Sequence, residues 1–207
     1  GNDAVFGYTD GNWTPNPIQM TWDEVNGIYT YTTPTLSANK NYVFRVTNGD
    51  WDGKWGYDKL DPVPDNVLSF GDDKNICFML AAEGTITVTL DGDQLSLTTS
   101  SSFAAPVYTI VGDEALAGHH WDLNASDNQM TLESENIYKL VKTITIPAGT
   151  YEYKAVRNHS YEWQVPAEGD NSINIEKSGT GTITYTLDIS KPELTAAISD
   201  WVEQDLS

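Results

Sequence analysis

The stretch Gly181-Thr182-Ile183-Thr184-Tyr185-Thr186-Leu187-Asp188 alternates threonine with an apolar residue, the period-two pattern of a half-buried strand. A near copy, Gly84-Thr85-Ile86-Thr87-Val88-Thr89-Leu90-Asp91, stands in the first half of the chain. The correspondence extends outward from both. Met20-Thr21-Trp22 leads to Ile28-Tyr29 and, thirteen residues on, to Tyr42-Val43-Phe44-Arg45. Met130-Thr131-Leu132 leads to Ile137-Tyr138 and, again thirteen residues on, to Tyr151-Glu152-Tyr153-Lys154. Equal order at nearly equal spacing reads as a tandem duplication.

The other segments read the same way. Ile28–Thr33 and Tyr138–Ile146 are rich in β-branched and aromatic residues, and Asn26-Gly27, Asn48-Gly49, Asp91-Gly92 and Pro147-Ala148-Gly149 punctuate them as turns. Seven or so short strands in about 95 residues predict an antiparallel sandwich. The expected fold is all-β: two tandem immunoglobulin-like antiparallel β-sandwich domains. Residues 1–99 form the first repeat, 100–106 a short linker ending in Pro106, and 107–198 the second repeat. Residues 199–207 read as a C-terminal tail, with Ala196–Ser207 suited to a short helix or the start of a linker.

Composition narrows the function. Among 207 residues, 11 basic stand against 30 acidic, a formal charge of −19 shared almost equally by the two halves. Without a basic face, nucleic acid is excluded as a partner, as are anionic membranes. The 7 Trp, 11 Tyr and 5 Phe argue against disorder. No apolar run reaches the length of a membrane span, so no membrane insertion is expected. The one cysteine, Cys77, sits in the apolar run Ile76–Leu80 and reads as a buried hydrophobe. No nucleophile elbow, phosphate loop or zinc-protease motif is present, and no enzyme activity or cofactor is expected. His119-His120 and the Asp50, Asp52 and Asp58 group lack metal-ligand spacing, so no metal is expected.

Each repeat places a basic strand residue before an aromatic loop. Arg45 precedes Asn48, Trp51 and Trp55; Lys154 precedes Arg157, Tyr161 and Trp163. An earlier loop supplies Trp13 in one copy and His120-Trp121 in the other. Flat rings stack on the C–H faces of pyranoses while Arg, Lys and Asn bond the hydroxyls, so the pattern suits a sugar polymer. Each ring contributes ~0.5–1.5 kcal/mol by analogy with aromatic pairs, and two weak sites on one polymer gain by effective concentration. Trp22 and Trp55 have a weaker claim: Leu132 stands opposite the first, and the second has no clear counterpart.

At these residues the sequence resembles the starch-binding β-sandwich modules of bacterial pullulanases and amylases, which also occur in tandem in starch-binding surface proteins of gut bacteria. The residues that carry the resemblance are Trp121-Asp122, Met130-Thr131, Tyr138 and Pro147-Ala148-Gly149-Thr150-Tyr151-Glu152-Tyr153-Lys154 in the second repeat. In the first they are Trp13-Thr14-Pro15, Met20-Thr21, Tyr29 and Asn48-Gly49-Asp50-Trp51. The first repeat departs in lacking the Pro-Ala-Gly turn, the second in replacing Asn-Gly-x-Trp by Asn158-His159-Ser160-Tyr161. The resemblance implies an α-glucan site at Trp13, Arg45 and Trp51, and another at Trp121, Lys154 and Trp163 aided by Arg157 and Tyr161. The expectation is therefore a non-catalytic, extracellular or cell-surface protein that binds starch and maltooligosaccharides. It is expected as a monomer or as part of a larger surface protein or complex. The competing readings are a spacer or adhesive sandwich pair that binds a protein partner, and the same module binding another glycan.

Overall fold

A computed structural model describes residues 1–9, 12–14 and 18–206; Pro15 of the first motif and Ser207 lie outside them. The chain divides into two compact units, Gly1–Pro106 and Val107–Ser207.

The strands of the first unit are β1 (Tyr8–Thr9), β2 (Asn12–Trp13), β3 (Thr21–Asp23), β4 (Ile28–Thr32), β5 (Tyr42–Phe44), β6 (Val46–Thr47), β7 (Lys54–Trp55), β8 (Leu68–Phe70), β9 (Asn75–Phe78), β10 (Ile86–Asp91) and β11 (Gln94–Thr99). One antiparallel sheet runs β11-β10-β4-β3, another β5-β9-β8, and β1-β2 and β6-β7 each form a two-stranded antiparallel sheet. The threonine alternation does what the sequence predicts. Ile86, Val88 and Leu90 of β10 and Leu95 and Leu97 of β11 point inward against Tyr42, Phe44, Ile76 and Phe78 of the facing sheet. Cys77 is buried on the outer side of β9, near the Asn41 side chain.

The second unit contains β12 (Tyr108–Gly112), a short helix Glu114–Ala117, β13 (Thr131–Ser134), β14 (Ile137–Ile146), β15 (Gly149–Arg157), β16 (Ser160–Val165), β17 (Asn171–Ile175), β18 (Gly179–Asp188) and β19 (Glu193–Glu203). Its sheets are β13-β14-β18-β19 and a second built on β15, flanked by β12 on one edge and by β16 and β17 on the other. Ile144, Ile146, Ile183, Tyr185 and Leu187 of the first sheet meet Tyr108, Ile110, Tyr153 and Ala155 of the second. Both units are thus antiparallel sandwiches, and the all-β expectation holds.

Two boundary expectations change. Residues 199–203 continue β19 rather than opening a tail or helix, pairing as far as Gly179↔Glu203. Trp201 makes this possible by lying over Gly179 and Gly181, where an added Cβ would meet its ring at 2.8 Å and 2.6 Å. The segment read as a linker is also held. Phe103 bridges Leu80 and packs edge-on to Phe78, and the Ala104 N–H donates to the Met79 carbonyl at 2.9 Å.

Candidate functional site

In the first unit, β5 and β6 carry the basic residue outward. Arg45 follows Phe44, whose side chain is in the core, so strand alternation turns Arg45 to the other face. Its side chain is only 10% exposed, and Nη1 lies 3.2 Å from Asp73 Oδ1. Lys54 reaches the same carboxylate at 3.1 Å, and these two cations, Lys54 first, hold the Asp73 carboxyl below its usual range. The Arg45 guanidinium sits over the Trp51 ring at 4.8 Å, while Arg45 Nε has no hydrogen-bond partner. A buried guanidinium nitrogen without an acceptor is suited to a ligand oxygen. Trp51 itself is 38% exposed. It stands on a tight loop in which the Asn48 amide, oriented to donate, bonds Asp50 Oδ1 at 2.8 Å and Gly53 O at 3.2 Å. Asn48 therefore shapes the loop.

Beside this group runs a cleft of about 670 Å³, lined by Trp13, Trp22, Tyr29, Arg45, Trp51 and Trp55 among others. Trp22 and Tyr29 are exposed and their ring centroids are 4.7 Å apart. Register places them on the same face as Leu90, at the mouth of the sandwich. Sequence spacing gives Trp22 a weak claim and offers Tyr29 as a motif residue but not as a site residue. The signal that finds them is the strand register, which puts two large rings opposite each other where a core pair would be expected. Trp55 faces inward with Val46 and donates from Nε1 to Asp93 at 2.8 Å, which makes it a structural residue.

In the second unit, Lys154 occupies the place of Arg45. It is equally withdrawn, 9% exposed, with Nζ 2.7 Å from Asp170 and 3.1 Å from Gln164 Oε1. The exposed ring beside it belongs to Tyr161, not Trp163. Tyr161 is 42% exposed and its hydroxyl donates to the Trp121 carbonyl at 3.4 Å. Partial burial, and then the Asp170 charge, push the Tyr161 phenol up. Trp121 is half-buried, with the left-handed φ of 51° that few bulky residues adopt, and its N–H is fixed to the Gly112 carbonyl at 2.9 Å. His120 is exposed and bridges Gly112.

Arg157 and Trp163 are placed differently from expectation. Arg157 pairs with Tyr108, so it lies on the core side of β15, the opposite face from Lys154. Its guanidinium covers Trp163 at 5.1 Å, and Trp163 packs edge-on to Tyr108 at 5.4 Å against the core. β16 carries three residues, Tyr161–Trp163, between Ser160 opposite Arg157 and Gln164 opposite Val156, and this bulge breaks the alternation that would put Tyr161 and Trp163 on one face. His119 is engaged with Asp127 at 2.9 Å, and no group of three metal-ligating side chains occurs among the described residues. No helix among them is long and apolar enough to cross a membrane.

Fold and geometry together define an all-β sandwich protein bearing an aromatic-basic surface patch on each unit. Residues 108–192 match the family profile of the Pullulanase X25 domain. The chain is 26% identical over 197 residues to an amylopullulanase of Thermoanaerobacterium thermosulfurigenes, covering 86% of this chain and 10% of that protein. It is 27% identical over 117 residues to an amylopullulanase of Thermoanaerobacter thermohydrosulfuricus, covering 55% of this chain and 8% of that protein. A solved structure of a pullulanase from Bacillus acidopullulyticus aligns over 78% of this chain and 17% of that one, with 17% identity and a TM-score of 0.40. The chain thus spans a tenth or less of its curated relatives and resembles pullulanase-type starch-binding modules.

Proposed function

We propose that the chain is a non-catalytic starch-binding pair of modules, each holding an α-1,4-linked glucan outside the cell. The observation that carries this reading recurs in both units. A basic side chain about nine-tenths withdrawn from solvent is oriented by an aspartate, Asp73 or Asp170, next to an exposed ring, Trp51 or Tyr161. The ring stacks on a pyranose face and the cation donates to neighbouring hydroxyls. The aspartate fixes the cation's geometry and carries acceptor capacity for a further hydroxyl. Trp13 in the first unit and Trp121 in the second flank the patch.

The relatives are starch-active enzymes by name, and this chain matches a segment of them, which supports an accessory role beside catalysis. The similarity to T. thermosulfurigenes amylopullulanase extends over parts of both units, in keeping with a duplicated binding module. A pull-down on insoluble corn starch, with cellulose as control, tests the reading. Retention on starch alone, released by maltoheptaose, is the expected result. Retention on neither polymer would overturn it.

A further inference from the structure

The two surface patches share a plan but differ in charge, and strand pairing shows where. In the first unit Val46 lies opposite Trp55 and Thr47 opposite Lys54; in the second Ala155 lies opposite Val165 and Val156 opposite Gln164. Lys54 and Gln164 therefore hold the same place, one strand over from the basic residue. Next along, Phe44 pairs with Ile76 and Tyr153 with Asn171. The residue before each partner, beside Arg45 or Lys154, is Asn75 in the first unit and Asp170 in the second.

Those two exchanges change the charge balance of the contacting groups. In the second unit the Lys154 ammonium is neutralised in place. Asp170 Oδ1 lies 2.7 Å from it, and Gln164 Oε1 accepts from it at 3.1 Å. The Gln164 amide N–H is itself spent on the Ala167 carbonyl at 3.0 Å. In the first unit the strand acid is replaced by the uncharged Asn75, and a second cation, Lys54, stands where Gln164 is neutral. Among the described residues Asp73 is the only carboxylate paired with either cation, and it answers both through one oxygen, Oδ1, at 3.2 Å and 3.1 Å. Two cations thus share one anion, against one cation and one anion in the second unit. The Lys54 side chain is 44% exposed, which leaves its ammonium open to a ligand.

Further acids stand in the same loops: Asp50, Asp52 and Asp72 in the first unit, Glu162 and Glu168 in the second. They keep the background negative in both units, and salt screens such charges beyond about 8 Å. Asp50 is turned into its own loop, where Oδ1 accepts from the Asp52 N–H at 2.9 Å and the Gly53 N–H at 3.3 Å. The groups that touch a ligand decide its charge preference, because Coulomb energy falls with distance and with solvent exposure.

We propose that the site of the first unit prefers a glucan carrying a phosphate ester on a sugar hydroxyl over the neutral chain, and that the site of the second unit has no such preference. The proposal rests on the glucan reading of both sites and names the substrate class that separates them. A phosphate monoester brings nearly two negative charges and three acceptor oxygens, enough to engage Arg45 and Lys54 together. Trp51 stacks on the pyranose that carries or adjoins it. At the second site the same ester meets Lys154 already neutralised by Asp170, and gains nothing over a hydroxyl.

The test reads each site by itself in the full chain, the first with Lys154→Ala and Tyr161→Ala silencing the second, the second with Arg45→Ala and Trp51→Ala silencing the first. Calorimetric titration compares maltoheptaose with maltoheptaose bearing a phosphate ester on a 6-hydroxyl, and circular dichroism confirms folding. At low salt the first site is expected to bind the phosphorylated chain about fivefold more tightly, the upper end for an exposed ion pair. That ratio should shrink as salt is added. The second site is expected to show no preference. Exchanging the aligned residues should move the preference: Lys54→Gln abolishes it at the first site, and Gln164→Lys creates it at the second. Equal affinity for the two chains at the first site, or a ratio untouched by Lys54→Gln, would overturn the proposal and leave the glucan reading standing. Failure of the native chain to bind either oligosaccharide would overturn the glucan reading, and the proposal with it.

Discussion

Replacing Trp51 by alanine tests the first site at the ring that the structure leaves open. Trp51 is 38% exposed, and one of its faces is occupied by the Arg45 guanidinium at 4.8 Å. A Trp side chain offers up to ~250 Å², so the exposed part is on the order of 95 Å². Covering all of it would contribute at most about 2 kcal/mol at ~25 cal/mol per Å². A sugar stacks on the remaining face only, which brings the contribution to about 1 kcal/mol, a factor of about five in Kd. Because the ring is outside the core, Trp51→Ala is expected to change stability by no more than about 0.5–1 kcal/mol. The assay is calorimetric titration of maltoheptaose into the full chain carrying Tyr161→Ala, so that the second site does not mask the first, with circular dichroism to confirm folding. An unchanged Kd for Trp51→Ala in that background, with folding intact, would refute the reasoning.

Other substitutions separate binding from structure. Trp163→Ala is expected to destabilise the second unit by about 2–3 kcal/mol, less than the ~3–5 kcal/mol of a fully buried ring, because the half-buried ring lies between Arg157 and Tyr108. Urea unfolding followed by fluorescence checks this, and an unshifted midpoint would show that the ring is not packed as described. Tyr185→Phe is expected to leave stability unchanged or raise it by about 1 kcal/mol, since the buried hydroxyl has no partner; a loss beyond that in thermal melting would contradict the description. Starch binding by the first unit is expected to hold from neutral pH down to about 5. It should fall only below the ordinary carboxylate range, near 4 and lower. The sign follows from the depressed Asp73 value: its hold on Lys54 and Arg45 is complete above the unfolded-state pKa and is lost as pH falls through the folded one. A decline beginning near pH 6.5 would point to a histidine instead.

Much of the fold was legible because its strands advertise themselves. The Thr-apolar alternation of β10 and β18 fixes both period and inward face, and the repeated Tyr spacing places β5 and β15. β19 was harder, because Glu193–Glu203 mixes Ala with polar residues and its pairing depends on Trp201 covering two glycines of another strand. The candidate site was legible in type but not in register. Arg45 and Lys154 sit on the face away from Phe44 and Tyr153, as strand alternation implies, whereas Trp51 stands on a loop and Tyr161 on a bulge. Trp163 and Tyr161 are two residues apart, which would put both on one face of a regular strand, and the bulge of Tyr161–Trp163 between Ser160 and Gln164 breaks that alternation. Trp22 and Tyr29 escaped for another reason: their exposure comes from what does not face them across the sandwich, and that is a property of topology.

The most direct measurement of the central claim is a maltoheptaose titration of the full chain beside its Arg45→Ala, Lys154→Ala double variant. Saturable binding by the native chain and at least tenfold weaker binding by the variant are expected, with both units still folded. Equal affinity in the two chains, or no heat from the native one, would contradict it.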